Sequence, residues 1–195
     1  MPVPYRRDVF APGEYYHIFN RGADKGTIFF TAGHYEHCLR LFKRYRGPYG
    51  ATIVAYCLMP NHYHLLLRQD GEAPPSRFIN VVFNAYVQAV NRERKRKGTL
   101  LEGRFRHVLV DREAYVEHLC RYIHLNPVIA GLVARPEDWP YSNYREWVGE
   151  RACALKDEEF IRQRFPRAEG YRAFVEDEIG EARMRAQLKR YLLDP

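Results

Sequence analysis

The chain has 195 residues, of which 46% are hydrophobic and 28% charged, which suits one domain with its own core. Its formal net charge is +7, and 15 Tyr and 11 Phe are interleaved with the basic residues, a mixture that favours a nucleic-acid partner. Four widely spaced cysteines without a C-x-x-C pair argue against a zinc ribbon and a disulfide scaffold. No apolar run approaches the roughly 18 residues of a membrane span, and no signal-like segment opens the chain, so we expect a cytoplasmic protein without a membrane segment.

Strand and helix signals alternate through the first two thirds of the chain. Apolar and β-branched runs predict four strands, at residues 14–20, 51–58, 62–68 and 106–110. Amphipathic spacing predicts three helices, at residues 32–46, 77–97 and 112–125. The order β-α-β-β-α-β-α predicts an α+β fold: a ferredoxin-like split β-α-β antiparallel sheet with two helices on one face, and one added helix.

The two ends of the chain differ from this central part. Prolines at positions 2, 4 and 12 indicate an N-terminal arm over residues 1–13. We expect the domain to span residues 14–150. Residues 151–195 are charged and helix-prone, so they are expected to form a helical C-terminal extension, with short amphipathic pieces at residues 158–164, 171–179 and 181–193.

The boundaries of the three helices follow from polar and proline residues. Thr31, Ser76 and Asp111 can each cap the N-terminus of one predicted helix. Pro127 lacks the backbone N–H that a helix interior needs, and it restricts Asn126 away from helical angles. The third helix is therefore expected to stop at about residue 125, with Asn126 at its very end.

Two histidines stand on the third predicted strand. Side chains alternate faces along a strand, so His62 and His64 should project from one face. The residues that alternate with them, Tyr63, Leu65 and Leu67, should project from the other. Two imidazoles side by side on a rigid strand make half of a metal site.

The added helix offers side chains that could complete this site. Tyr122 and Asn126 are four residues apart and therefore share a helix face. A tyrosine beside a cation is a sensible nucleophile, because the cation favours the phenolate and polarises the electrophile. The amide oxygen of Asn126 can be a third, hard ligand. Two imidazoles, a carbonyl oxygen and waters suit Mg²⁺ or Mn²⁺.

Two alternatives concern the same residues. Tyr115 lies seven residues before Tyr122 on nearly the same helix face, but Leu119 stands four residues after it and cannot bind a metal, so we interpret Tyr115 as a packing residue. A metal hydrolase of the H-x-H-x-D-H type is excluded, since Leu66 and Leu67 occupy the positions that would need Asp and His.

The pattern resembles a known family. His62-Tyr63-His64 forms a His-hydrophobe-His (HUH) motif, and together with Tyr122 in Tyr-Ile-His-Leu-Asn-Pro-Val it looks like the single-tyrosine HUH transposases, most of all the REP-associated tyrosine transposases. The resemblance covers residues 14–147. It includes three further motifs: Asn20-Arg21-Gly22, Gly103-Arg104-Phe105 and Trp139-Pro-Tyr-Ser-Asn-Tyr144.

The resemblance implies a definite chemistry. Tyr122 would attack a phosphodiester in single-stranded DNA beside a hairpin, giving a 5′-phosphotyrosine intermediate and a free 3′-OH. Mg²⁺ or Mn²⁺ on His62, His64 and Asn126 would orient and polarise the phosphate. Some relatives have a longer Gln in place of this Asn. Because the bond energy is conserved, the reverse attack could rejoin strands, as a transposase requires.

The resemblance also implies a DNA partner. The hairpins of the REP-associated branch are repetitive extragenic palindromes, and relatives work as monomers or as homodimers that exchange the tyrosine helix. The best candidates for DNA contact are arginines, which can bind phosphates, and a neighbouring aromatic residue, which can stack on a base. They are Arg21, Arg104, Phe105 and Arg106. The alternative is a non-catalytic protein, derived from a transposase, that binds nucleic-acid hairpins without cutting them.

Overall fold

The structure is a computed structural model that describes residues 10–152, 155 and 157–177. The strands of the described part are β1 Tyr15–Arg21, β2 Ala51–Met59, β3 His62–Gln69 and β4 Arg106–Leu109. The α-helices are α1 Ala32–Tyr45, α2 Pro75–Glu93, α3 Glu113–Ile129, α4 Tyr144–Trp147, α5 Glu158–Arg164 and α6 Ala168–Glu176. Most of the predicted arm and the helical piece expected at 181–193 lie outside the described residues. No helix in the described part is long and apolar enough to cross a membrane.

The four strands form one sheet in the order β2-β3-β1-β4, and every neighbouring pair is antiparallel. This is the strand order of a split β-α-β fold, in which β3 is inserted between β1 and β2. The helices α1 and α2 pack against each other, and α3 packs against β2 and β3. The predicted α+β, ferredoxin-like architecture with an added helix is confirmed.

Each face of the sheet has its own hydrophobic core. Tyr63, Leu65 and Leu67 of β3 lie in the cluster under α1 and α2. Leu66, the residue between the last two, lies in a second cluster that contains Leu119 and other residues of α3. The period-two alternation of an extended strand therefore assigns the two sets of β3 side chains to opposite faces, as the sequence predicts.

The expected end of α3 at Asn126 is wrong. The helix continues through Pro127 to Ile129, because the backbone N–H of Ala130 still donates to the Asn126 carbonyl at 2.9 Å. Proline removes one donor and disfavours helical angles before it without forbidding them. The stop is Gly131, whose φ of +69° is the left-handed conformation that favours glycine after a helix. Asn126 therefore lies inside α3, and its side chain projects from the same helix face as that of Tyr122.

The boundaries of α2 also differ from those expected. The helix begins with Pro75 in its first turn, one residue before the predicted cap Ser76, and proline is well suited to that position. It ends at Glu93, so the basic run 94–97 lies beyond it. Lys95 there has a positive φ of 50°, which an α-helix does not accommodate.

The motif Trp139–Tyr144 covers the edge strand β2. Ser142 forms a bridge with Cys57, and the Trp139 indole N–H donates to the Leu58 carbonyl at 3.1 Å. The buried Asn143 Oδ1 accepts from the Tyr56 backbone N–H at 2.7 Å. An edge strand covered in this way presents fewer unpaired backbone groups to other chains.

The Asn143 amide also joins the sheet to α3. Its Oδ1 lies 2.8 Å from His124 Nε2, and its Nδ2 donates to the Val54 carbonyl at 2.9 Å. The other His124 nitrogen, Nδ1, lies 2.5 Å from the hydroxyl of Tyr171 on α6. Because Asn143 Oδ1 can only accept, Nε2 of a neutral His124 carries the proton and Nδ1 accepts from Tyr171.

We expect Asn143→Ala to lower the free energy of unfolding by about 3 kcal/mol, since it leaves the buried Tyr56 N–H and His124 Nε2–H without an acceptor. Urea denaturation measures this loss. Asn91→Ala is the matched control, because Asn91 donates to the Gly98 carbonyl at an exposed site. If Asn91→Ala lowered the free energy of unfolding as much as Asn143→Ala, the buried hydrogen bonds of Asn143 would not be the cause of the loss.

Acid should weaken the same network. Burial lowers the pKa of His124 from 6.5 to about 4, against the opposing effect of its Asn143 hydrogen bond. The unfolded chain therefore takes up a proton near pH 6.5 and the folded chain only near pH 4, so stability is lost as the pH falls through this window. The loss attributable to His124 should reach about 3 kcal/mol at pH 4. Unfolding free energies at pH 7 and pH 4.5 should differ less in His124→Gln than in the natural protein; an equal difference would refute this assignment.

Candidate active site

His62 is held on β3 by two asparagines. Its ring lies at the start of the strand, on the face that α3 covers. Nδ1 lies 2.7 Å from Asn61 Oδ1, and Nε2 lies 3.2 Å from Asn126 Oδ1. Asn61 Oδ1 can only accept, so Nδ1 of a neutral His62 carries the proton. The lone pair of Nε2 then points toward α3.

His64, two residues further along β3, is almost fully buried and contacts a third histidine. Its Nδ1 lies 3.0 Å from Nε2 of His17 on β1, and the two rings stack with centroids 5.2 Å apart. Burial lowers the pKa of His64 well below its ordinary value, and His17 and His62 lower it further. A neutral imidazole is the form that binds metals.

His17 is the site residue that sequence reasoning missed. A single histidine in a predicted strand is by itself no evidence for a site. The signal lies in strand pairing: β1 neighbours β3, and His17 opposes Leu66 in the register, which puts it on the same face as His64. Metal-binding histidines commonly use their second ring nitrogen for a partner that fixes the ring, and His17 has the position of such a partner.

Tyr122 and Asn126 approach the histidines from α3 of the same chain. The Tyr122 ring meets the His64 ring edge to face, with centroids 5.5 Å apart and planes at 81°. The Asn126 side chain is buried, and its Nδ2 has no hydrogen-bond partner among the described residues. The helical spacing of four residues thus aligns both side chains with the histidine strand.

The donor set fits a divalent cation. Nε2 of His62 and the Asn126 amide oxygen lie 3.2 Å apart, close enough for both to be ligands of one cation. No group of three or more His, Cys, Asp or Glu side chains in the described part has the arrangement of a metal site. The donors would therefore be two imidazoles and an amide oxygen, with positions left for water and phosphate oxygens, which suits Mg²⁺ or Mn²⁺.

Tyr115 has different surroundings from Tyr122. Its hydroxyl accepts a hydrogen bond from Arg112 at 3.0 Å, and its ring packs partly against the second core cluster. The Arg112 guanidinium also lies 5.4 Å from the ring centroid. These contacts suit the packing role that the sequence predicts for Tyr115.

The basic residues considered for DNA contact lie around the same end of the sheet. Arg21 opposes His62 in the strand register, and Arg106 opposes Phe19, which itself opposes His64. Arg21 also forms an ion pair with Glu102, which neutralises part of its charge. Arg104 is exposed in the loop before β4. Phe105 is half-buried, because its ring packs partly against the core under α1 and α2.

Comparison with known proteins bears on the family of this chain. Residues 12–126, more than half of the chain, match the family model described as transposase IS200 like. A Haemophilus influenzae protein, provisionally named as a REP-associated tyrosine transposase, is 28% identical over 151 residues, which cover 72% of this chain and 84% of that protein. A solved REP-associated tyrosine transposase bound to a REP hairpin shares the fold, with a TM-score of 0.65 and 18% identity over 80% of this chain and 94% of the other. The chain therefore belongs to the IS200-like family of transposases, the HUH tyrosine enzymes that its motifs resemble.

Proposed function

We propose that this transposase cuts and rejoins single-stranded DNA beside a hairpin, with Tyr122 as the nucleophile. The observation that supports this most is the contact between side chains of β3 and α3. His62 lies 3.2 Å from Asn126 Oδ1, and the His64 and Tyr122 rings are in contact. A strand with two imidazoles and a helix with a phenol and an amide thus form one cluster.

The bonds made and broken follow from a phenol nucleophile. Tyr122 Oη attacks the scissile phosphorus, and the bond from phosphorus to the 3′ oxygen breaks. The phenol loses its proton and the leaving 3′ oxygen gains one, so the products are a 5′-phosphotyrosine and a 3′-OH. One phosphodiester replaces another, and a second 3′-OH can reverse the step without an external energy source.

His62, His64 and Asn126 would hold Mg²⁺ or Mn²⁺, which would stabilise the developing negative charge on the phosphate. His17 would fix the ring of His64 through the contact at 3.0 Å, which leaves Nε2 of His64 unprotonated when Nδ1 donates. Asn61 does the same for His62 through Nδ1. His17 and Asn61 would therefore orient both imidazole rings.

A REP-like hairpin is the DNA that fits the family relationship, because a relative with the same fold is known bound to one. Arg104 and Arg106 could neutralise backbone phosphates around the site, and Phe105 could stack on a base. Arg21 is a DNA contact only if the substrate competes with Glu102 for it.

We further propose that one chain is sufficient for cutting. Helix α3, with Tyr122 and Asn126, packs against β2 and β3, and only residues 110–112 connect β4 to α3. So short a connection leaves little reach for α3 to join a second copy. A homodimer that exchanges α3 is the alternative, and cutting whose rate per chain rises with protein concentration would support it.

The direct test mixes the protein with labelled hairpin DNA that carries single-stranded flanks, in Mg²⁺ or Mn²⁺. An SDS-resistant protein–DNA adduct that needs the metal is expected. Binding without adduct on any such hairpin would instead support a non-catalytic hairpin-binding protein derived from a transposase.

A further inference from the structure

A cavity of about 320 Å³ lies on the sheet face opposite the histidines. One wall is the exposed side of α2, and the other is the loop before β4. The lining includes Asn80, Phe83, Asn84 and Gln88 of α2 and Arg104 and Phe105 of the loop. We call it the α2 cavity. Its volume is at the small end of ligand pockets, which run from about 300 to 1,000 Å³.

The wall formed by α2 presents a row of carboxamides. Asn80, Asn84 and Gln88 are spaced four residues apart, so they lie one above another on a single helix face. All three side chains are exposed. A carboxamide has both a donor and an acceptor, and Asn and Gln side chains read base edges in this way.

The opposite wall supplies an aromatic ring and a positive charge. Phe105 lines the cavity with its half-buried ring, and Arg104 beside it is exposed. An aromatic surface suits stacking by a base, and a guanidinium suits its phosphate. The cavity therefore has the three kinds of group that one nucleotide needs.

The α2 cavity is joined to the catalytic face by two adjacent pairs of residues. Asn20 lines the cavity, while the next residue, Arg21, opposes His62 on the other face. Phe105 lines the cavity, while Arg106 opens β4 on the histidine side. A single strand leaving the active site would therefore need only to pass the end of β1 and the start of β4 to reach the cavity.

The loop that forms this wall is fixed to β1. Asn20 Nδ2 donates to the Gly103 carbonyl at 3.3 Å, and the Glu102 backbone N–H donates to the Arg21 carbonyl at 2.8 Å. Gly103 has a φ of +65°, which a side chain would strain. The cavity is thus preformed, which reduces the entropy cost of binding.

We propose that the α2 cavity binds one unpaired base of the DNA substrate and reads its identity through the carboxamides of Asn84 and Gln88. This inference rests on the proposed function, and it adds a residue-level origin for sequence preference next to the hairpin. The cut would then be positioned by a base held on one face of the sheet while the phosphate reacts on the other.

The test is a binding selection with a pool of DNA hairpins that share one stem and carry short randomised single-stranded flanks. Tyr122→Phe protein is used so that bound DNA is not cut. The DNA pool recovered by this protein is compared with the pools recovered by two further variants of it. One also carries both Asn84→Ala and Gln88→Ala, and the other also carries Gln163→Ala. Gln163 is the matched control, because it is an exposed carboxamide on α5.

At least one flank position should show a preferred base, with about tenfold or greater discrimination. The double variant should lose that preference while its affinity for a blunt hairpin stays the same, and the Gln163 variant should keep the preference. A flank bound without base preference, or a preference that survives in the double variant, would overturn the inference. Neither result touches the proposed function, because adduct formation is measured separately on the protein with Tyr122 intact.

Discussion

Tyr122→Phe should abolish formation of the covalent DNA adduct, with a loss of at least about 10³-fold in the cutting rate. The substitution removes one oxygen and keeps the ring that meets His64 edge to face. Folding and hairpin binding should therefore be preserved. Denaturing gels of a labelled hairpin give the rate, and fluorescence anisotropy gives the affinity of the same DNA.

Tyr115→Phe is the matched control, because it removes a hydroxyl from the same helix, seven residues away. That hydroxyl accepts from Arg112 at an exposed site, so little change in rate or stability is expected. If Tyr122→Phe still formed the adduct and Tyr115→Phe did not, the nucleophile would be Tyr115.

Substitution of His62 should reduce metal-dependent cutting more than substitution of His17. His62→Ala removes a proposed ligand that is only partly buried, so it should lower the metal-dependent cutting rate by more than about 10²-fold without unfolding the domain. His17→Ala removes only the partner of His64 and should cost about 10- to 100-fold in metal affinity or rate. Mn²⁺ titration followed by calorimetry, together with cutting rates at several Mn²⁺ concentrations, measures both.

The distinguishing feature is rescue by metal. A positioning role predicts that high Mn²⁺ concentration restores much of the rate in His17→Ala, whereas His62→Ala stays slow. His37→Ala is a suitable control, since His37 lies on α1, beside Tyr86 and away from the site. Equal rates and equal Mn²⁺ affinity in His62→Ala and the natural protein would remove the histidine strand from the mechanism.

The fold was largely predictable because its signals are local. Alternation along β3 separates Tyr63, Leu65 and Leu67 from the histidine face. In the structure these three side chains lie in one core, and Leu66 lies in the other. The element order then leaves few ways to arrange four strands and two helices. The spacing of Tyr122 and Asn126 placed both on one face of α3 for the same reason.

The remaining features depend on contacts between distant segments. His17 joins the histidines only through the pairing of β1 with β3. The continuation of α3 through Pro127 is, by contrast, a local feature. It depends on the next backbone hydrogen bonds and on Gly131, which ends the helix, and the rule that proline stops a helix failed there. The network of Asn143, His124 and Tyr171 unites residues far apart in sequence, and no periodicity indicates it.

The C-terminal residues show the same limit. Sequence patterns predicted helices at 158–164 and 171–179, and α5 and α6 occupy much of that range. What the patterns could not give is their packing against α3. There Arg121, one residue before Tyr122, donates to the Phe174 carbonyl at 2.8 Å. Helix α6 of the C-terminal extension thus contacts α3, the helix that contains the proposed nucleophile.

The most direct measurement of the central claim is the identity of the residue that becomes attached to DNA. The adduct formed with hairpin DNA is digested with nuclease and then with trypsin, and the peptides are sequenced by mass spectrometry. Arg121 lies between Tyr115 and Tyr122, so the two tyrosines fall in different peptides. Our account predicts a nucleotide on Tyr122. A nucleotide on Tyr115 or on any other residue would contradict it.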